Sequence, residues 1–297
     1  MKFHPGEIEI QERAGVRRAA EEVGEGIFAE IAPGAADFLA RRQFSIVGTV
    51  EGSGAVWASV ITGQPGFIEV IGERAIRIAP RPSIDDPLFG NLARESHIAL
   101  LAPDFLTARR LRVNGRGILR DGYIHLTTDE VYGNCRRYIQ ERLVLGPRED
   151  VPSEQRPART SLLTAAQQLQ ISHADTFFIA TDNPEQGADV SHRGGNPGFV
   201  HVIDYRHIAF PDYDGNNMFN TLGNIAVNSR AGLLFIDFDS GRTIQLTGSV
   251  SIDWDPNRAR ELAGAQRVID FHVAEIIDDP FGFPLKSKFR QFSRYNP

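Results

Sequence analysis

Between residues 191 and 221 the chain gathers side chains that could hold an anion. The run Ser191-His192-Arg193-Gly194-Gly195 is followed by Gly215-Asn216-Asn217-Met218 and then Thr221. A guanidinium such as that of Arg193 offers a planar fork of donors suited to phosphate oxygens, and Ser191, Asn216, Asn217 and Thr221 can add neutral hydrogen bonds. Gly194 and Gly195 permit close approach of a main chain, and a helix opening near Asn217 would offer free amides to the same charge. Blander readings stay open beside this one. Gly194, Gly195 and Gly198 could only shape a hairpin, Asn216 and Asn217 are natural turn and cap residues, and His192, which could lie against a bound ligand, reads more readily as a solvated loop histidine.

Other chemistries leave no trace. There is no nucleophile elbow, P-loop, dinucleotide fingerprint or zinc motif. A single cysteine, Cys135, excludes a disulfide framework within the chain and favours a reducing compartment, so a cytoplasmic location is expected. Cys135, read as lying on a helix beside Arg136 and Arg137, is expected to be packing and not a nucleophile. A net charge of −6 argues against general nucleic-acid binding, and no apolar run is long enough to predict a membrane span. Any anion must therefore be held by a local site.

The elements that position these residues are legible through an internal repeat. Residues 63–76 align without gaps to 195–208 with eight identities in fourteen positions. With one more residue of spacing, 90–120 align to 223–253 with ten identities in thirty-one. Within the second copy TFFIAT (176–181) and GFVHVID read as strands, GADVS leads into a glycine-rich turn, and 218–229 form a short amphipathic helix. AGLLFIDF and RTIQLTGSVSID return to strand. The first copy repeats the order with FSIVGTV, VWASVIT, GFIEVIG, a short helix near PLFGNLARE, IALLAPD and RRLRVNGRGIL. Each copy predicts a small antiparallel barrel with flanking helices: a mainly β, α+β chain of two tandem units.

Further helices are expected at 8–24, 35–43 and 161–174. The proline-rich stretch 145–160 reads as the linker, dividing the chain into residues 1–150 and 151–297. The basic tail FPLKSKFRQFSRYNP, with Phe289, Phe292 and Tyr295 interleaved, is expected to pack on the domain surface.

The pair SHRGGNPGFV (191–200) and DYDGNNMFNTLGNI (212–225) resembles the flavin-binding signature of the pyridoxamine 5′-phosphate oxidase-like family, in a duplicated single-chain branch. VYGNCRRYIQER (131–142), ADTFFIAT (174–181) and LRVNGRG (111–117) add to the resemblance, which covers most of the chain. It implies tandem FMN-binding split barrels forming a pseudo-dimer, with FMN held where the units meet and its phosphate gripped by one of them. The implied cofactor-binding residues are Ser191, His192, Arg193, Gly194, Asn216, Asn217, Met218 and Thr221, joined from the first copy by Arg112 and Arg116. The alternative for 111–117, Asn114 included, is an exposed strand face of alternating charge.

Comparing the copies sharpens this. The first has SVITG (59–63) for SHRGG and SIDDPLFGNL (83–92) for the asparagine segment. It loses the arginine and gains Asp85 and Asp86, which would repel phosphate. Asn224 matches Asn91 and is expected to have a shared structural duty. The resemblance implies an FMN-dependent oxidoreductase acting on a small molecule, with NAD(P)H or reduced deazaflavin as reductant and no metal. A non-catalytic flavin store, carrier or sensor is the alternative, and an interaction scaffold is a third reading. A homodimer is kept open beside an intramolecular pseudo-dimer.

Overall fold

The runs 44–50 and 176–181 lack polar alternation because each is buried on both faces, and that double burial organises the molecule. The computed structural model describes residues 2–81, 85–149 and 156–297. In the first unit β1 (Phe44–Val50), β2 (Val56–Thr62), β3 (Ile68–Gly72), β4 (Ala75–Ile78), β5 (Ser96–Asp104), β6 (Arg109–Arg120) and β7 (Tyr123–Gly133) form one antiparallel sheet, ordered β2-β1-β5-β6-β7-β4-β3. After β8 (Glu141–Pro147) and β9 (Ala158–Thr160), the second unit contributes β10 (Thr176–Asn183), β11 (Gly187–Gly194), β12 (His201–Val202), β13 (His207–Asp212), β14 (Arg230–Ile236), β15 (Thr243–Asp253) and β16 (Arg267–Asp279). Its order is β11-β10-β14-β15-β16-β13-β12, with β9 added on β16. Strand for strand the two orders are the same. The fold is mainly β, two split barrels in tandem, as the repeat predicts.

Alternation of side chains across a strand gives each first strand two jobs. Phe177 and Ile179 of β10 enter the core of their own barrel with Phe210, Leu233, Phe235 and Phe271. Phe178 and Ala180 face the other way, into a core shared with Phe44, Ile46, Val56 and Ala58 of the first unit. Val47 of β1 turns back into the first barrel with Ile61, Ile98 and Leu100. The backbones come close at this junction, where a Cβ on Gly232 would stand 2.5 Å from the Val56 carbonyl oxygen. The repeat also preserves a polar strut: Asn91 Nδ2 donates to Thr49 Oγ1 at 2.9 Å and Asn224 Nδ2 to Thr181 Oγ1 at 3.1 Å. That is the shared structural duty expected of the matched asparagines.

Helices α1 (Pro5–Arg13), α2 (Arg17–Gly24), α3 (Pro33–Ala40), α4 (Pro87–Asn91), α5 (Ala165–His173), α6 (Asn220–Val227) and α7 (Pro256–Arg260) flank the barrels. The single helix expected over 8–24 is two, broken around Gly15 at φ 71°. GADVS does not lead into a turn: residues 187–194 are all β11, so Ser191, His192 and Arg193 lie on a strand. The helix expected to open near Asn217 begins at Asn220, because Asn217 and Phe219 take left-handed backbone (φ 62° and 60°). Cys135 lies in a loop after β7 and not on a helix. The linker is shorter than 145–160, since both ends of that stretch belong to β8 and β9; residues 150–155, with the boundary expected at 150/151, lie outside the described residues, as do Ser83 and Ile84 of the first-copy motif. The tail forms β17 (Leu285–Gln291), which pairs with β8 and ties the chain's end to the first half. Among the described residues no helix is long and apolar enough to cross a membrane.

Candidate functional site

Where β6 of the first unit meets β11 and α6 of the second, a cavity of about 360 Å³ opens. Ser191, His192, Arg193, Gly194, Asn216, Asn217, Thr221 and Arg112 all line it. The hydroxyl of Ser191 is the point of convergence: Arg112 Nη2 donates to it at 2.7 Å and Thr221 Oγ1 lies 2.9 Å away. Arg112 also bridges to Asp189 at 2.9 Å and donates through Nη1 to Tyr132 Oη at 2.9 Å and to Asn220 Oδ1 at 3.1 Å. Burial alone would lower the affinity of Arg112 for its proton, but Asp189 and Tyr132 hold it above the ordinary value. The reading of 111–117 as an exposed face therefore fails for Arg112 and Asn114, which are buried.

Two implied residues lie elsewhere. Arg116 is exposed and paired with Glu95 at 2.8 Å; it shares the face of β6 that carries Arg112 but lies four residues further along the strand, outside the cavity lining. Met218 is buried in a small cluster with Phe3, Ala20 and Tyr132 and does not line the cavity. His192 is neither solvated nor in a loop. Its ring packs near Phe105 and Phe178, and burial followed by the charges of Arg110, Arg142 and Arg193 lowers its pKa well below the usual value. The imidazole is neutral at physiological pH. Its Nδ1 accepts from Arg110 Nη1 at 2.9 Å, which leaves the proton on Nε2. Gly194 lines the cavity, but the closest approach it permits is within the chain: a Cβ there would meet the Tyr138 carbonyl oxygen at 2.0 Å.

Arginine excess defines the electrostatics. Arg110, Arg112, Arg137, Arg193 and Arg267 line the cavity. Asp189 pairs with Arg112, Asp214 with Arg137, and Asp212 with both Arg193 (3.3 Å) and Arg267 (3.1 Å), so five cations face three partners. Arg110 has no carboxylate among its bonds, which go to His192 and to the Cys135 carbonyl oxygen. Burial, then the neighbouring Arg112, lower its pKa to about 9. Donors at the wall also lack partners: Nε of Arg110, Arg112 and Arg193, Nδ2 of Asn134 and Nε2 of His192. Buried donors are ordinarily satisfied, so this concentration fits an anionic, acceptor-rich guest. Tyr213, Phe199 and Trp254 add aromatic wall, and burial with the adjacent Tyr138 pushes the Tyr213 phenol up to about 12. Among the described residues no cluster of His, Cys, Asp and Glu could hold a metal.

Arg110 and the three aspartates were not singled out from sequence. Arg110 lies two residues before Arg112 on the same strand, so period-two alternation was the signal that could have found it.

The matching position of the first unit has a different solution. Ser59 and Gln245 occupy the repeat positions of Ser191 and Arg112, and both donate to Asp86, at 2.6 Å and 3.2 Å. That carboxyl caps α4 through Leu88 N at 2.9 Å and is buried. The chain's own acid fills this place. Asp85 is exposed and pairs with Arg156 at 3.5 Å.

Residues 163–279 match the family model for pyridoxamine 5′-phosphate oxidase. No curated protein matches the chain. Solved structures similar to it include an FMN-binding protein from Syntrophomonas wolfei (11% identity, 38% of this chain and 82% of that one, TM-score 0.29). Another is an F420 reductase (15% identity, 40% and 99%, TM-score 0.30). A third, from Clostridium acetobutylicum, is related to general stress protein 26 of the pyridoxinephosphate oxidase family (10% identity, 41% and 89%, TM-score 0.30).

Proposed function

From a second unit that matches the pyridoxamine 5′-phosphate oxidase family, we propose that the chain binds one FMN at the junction of its units and serves as an FMN-dependent oxidoreductase for a small molecule. The observation that carries this is the arginine-rich cavity, in which donors from both units converge on Ser191 while other donors at the wall lack partners. A phosphomonoester bears about −1.5 to −2 charges at neutral pH, which answers the excess of five arginines over three aspartates. Arg112, Ser191 and Thr221 would hold the phosphate, with Arg193 and Arg110 supplying further positive field. Asn216 and Asn217 lie on the same wall and add neutral contacts. A cavity of about 360 Å³ is in the range that encloses a small cofactor.

When bound, the flavin supplies hydride or electron transfer, so the polypeptide needs few acids or bases of its own. That division of labour suits a lining whose histidine is neutral and whose Tyr213 phenol stays protonated. The chain's tasks are to orient the ring against the aromatic wall and to keep water out. Ala14 and Val16, at the break between α1 and α2, add apolar wall to the cavity. NAD(P)H or reduced deazaflavin acts as a transient donor, in the cytoplasm. A lining whose histidine and Tyr213 phenol are both neutral also suits the second reading, a flavin store, carrier or sensor. Anaerobic reduction of the FMN-loaded protein by NADPH or by reduced deazaflavin, followed by acceptor-dependent reoxidation, separates enzyme from binder.

The binding claim is tested by titrating the protein with FMN and with riboflavin, which lacks the phosphate. FMN should bind at least about 100-fold more tightly, since charge-assisted hydrogen bonds contribute about 1.5–3 kcal/mol each. Arg193→Ala should narrow that preference, by less than the loss of Arg112 would, while leaving riboflavin affinity near its starting value. Equal affinities for the two flavins in the wild type would sink the placement of the phosphate.

A further inference from the structure

Helix α1 lies outside both barrels, yet its polar side chains are buried against the wall that carries the site. Glu7 is 5% exposed. Its Oε1 accepts from Asn220 Nδ2 at 2.6 Å, and its Oε2 accepts from His4 N at 2.9 Å. Asn220 Oδ1 in turn accepts from Arg112 Nη1 at 3.1 Å, and Arg112 Nη2 reaches Ser191 at 2.7 Å. The asparagine amide is thereby fixed in orientation. Its NH₂ is taken by Glu7, so its oxygen must face the guanidinium. Without an acceptor at Glu7 the amide could turn over and set its donors against those of Arg112. The docking that holds Glu7 here is close-packed, since a Cβ on Gly223 of α6 would meet the Glu7 side chain at 2.4 Å.

We propose that Glu7 is a positioning residue for the phosphate end of the flavin site, acting through Asn220 on Arg112. The inference rests on the FMN reading and adds to it a component from an element that neither barrel copy supplies.

The surroundings make this component sensitive to pH. Glu7 is faced by His4 on its own segment, Asn220 on α6, Asp189 on β11 and Glu130 on β7, and Arg112 on β6 and Tyr132 on β7 stand against those two carboxylates in turn. Burial raises its pKa to about 8, more than the His4 and Asn220 hydrogen bonds lower it, and Glu130 and Asp189 raise it further. His4 Nε2 lies 3.7 Å from the carboxyl, but burial lowers the histidine's pKa, so the two meet as neutral groups at pH 7. Because the folded-state value lies above the unfolded one, the folded state holds the proton more tightly. Stability is then greatest below the ordinary carboxylate range and falls as pH rises towards about 8. Ionisation above that point places a new negative charge on the chain of bonds leading to Arg112.

The test compares Glu7→Leu and Glu7→Gln with the wild type in FMN and riboflavin titrations from pH 6 to 9. Glu7→Leu should weaken FMN binding about tenfold and leave riboflavin binding unchanged. Glu7→Gln keeps an acceptor for Asn220 and should bind FMN within about threefold of the wild type. The wild type should lose FMN affinity as pH rises through about 8, and Glu7→Gln should not. A decline through about pH 8 that persists in Glu7→Gln overturns the assignment of that decline to Glu7. Unchanged FMN affinity in Glu7→Leu, or equal loss for both flavins, overturns the positioning role while leaving the FMN reading intact. A wild type that binds no FMN overturns both.

Discussion

Arg112→Ala should lower FMN affinity by about 10- to 150-fold, and Arg116→Ala, four residues along the same strand, should leave it within about twofold. The first change removes a charged donor from Ser191, worth about 1.5–3 kcal/mol at a phosphate site. It also strands Asp189 in a buried position, and breaking such a pair costs about 3–5 kcal/mol of stability. Arg116 pairs with the exposed Glu95, where an ion pair contributes at most about 1 kcal/mol. Arg112→Lys should rescue little, because one ammonium cannot reach Tyr132, Asn220, Asp189 and Ser191 together. Fluorescence titration of FMN against the three variants reads the result. Equal losses for Arg112→Ala and Arg116→Ala would mean that long-range charge, and not this contact, governs binding.

Gly232→Val should have the largest effect on the fold. Its Cβ would stand 2.5 Å from Val56 O and 2.8 Å from Trp57 Cα, both main-chain atoms of the other unit, so no side chain can swing aside. The units must part or β14 must shift, at a cost of about 3 kcal/mol or more. Because Arg112 and Ser191 come from opposite units, the same displacement should release flavin. Thermal unfolding should show a clear drop in midpoint for Gly232→Val and little change for Gly90→Ala, where nothing lies within 4 Å of the added atom. An unchanged midpoint for Gly232→Val would refute the close approach of the units.

The fold was legible because duplication prints the same signals twice. Strand character at 44–50 and 176–181 could be checked each against the other, and the shared order of strands followed. Helix limits were less legible, since the break near Gly15 and the left-handed Asn217 and Phe219 depend on how α1, α2 and α6 pack. Within the site, the cluster at 191–221 declared itself by residue type, whereas the burial of Arg112 and the exposure of Arg116, on one face of the same strand, depend on where the second unit covers β6, which leaves no clear mark in sequence. Met218 was drawn in by its neighbours in the motif, but its side chain points to an apolar cluster. Glu7 was invisible for a stronger reason. Nothing in a nine-residue helix near the N-terminus says that it will dock on α6, more than two hundred residues away.

The two mirrored junctions are not equivalent. Arg112, Ser191 and Thr221 converge at one junction, while at the other Ser59 and Gln245 are already engaged by Asp86. The flavin content of the protein, reconstituted with excess FMN and freed of unbound ligand, should therefore be one per chain by absorbance and by mass of the intact complex. Two flavins per chain, or none, would contradict the account.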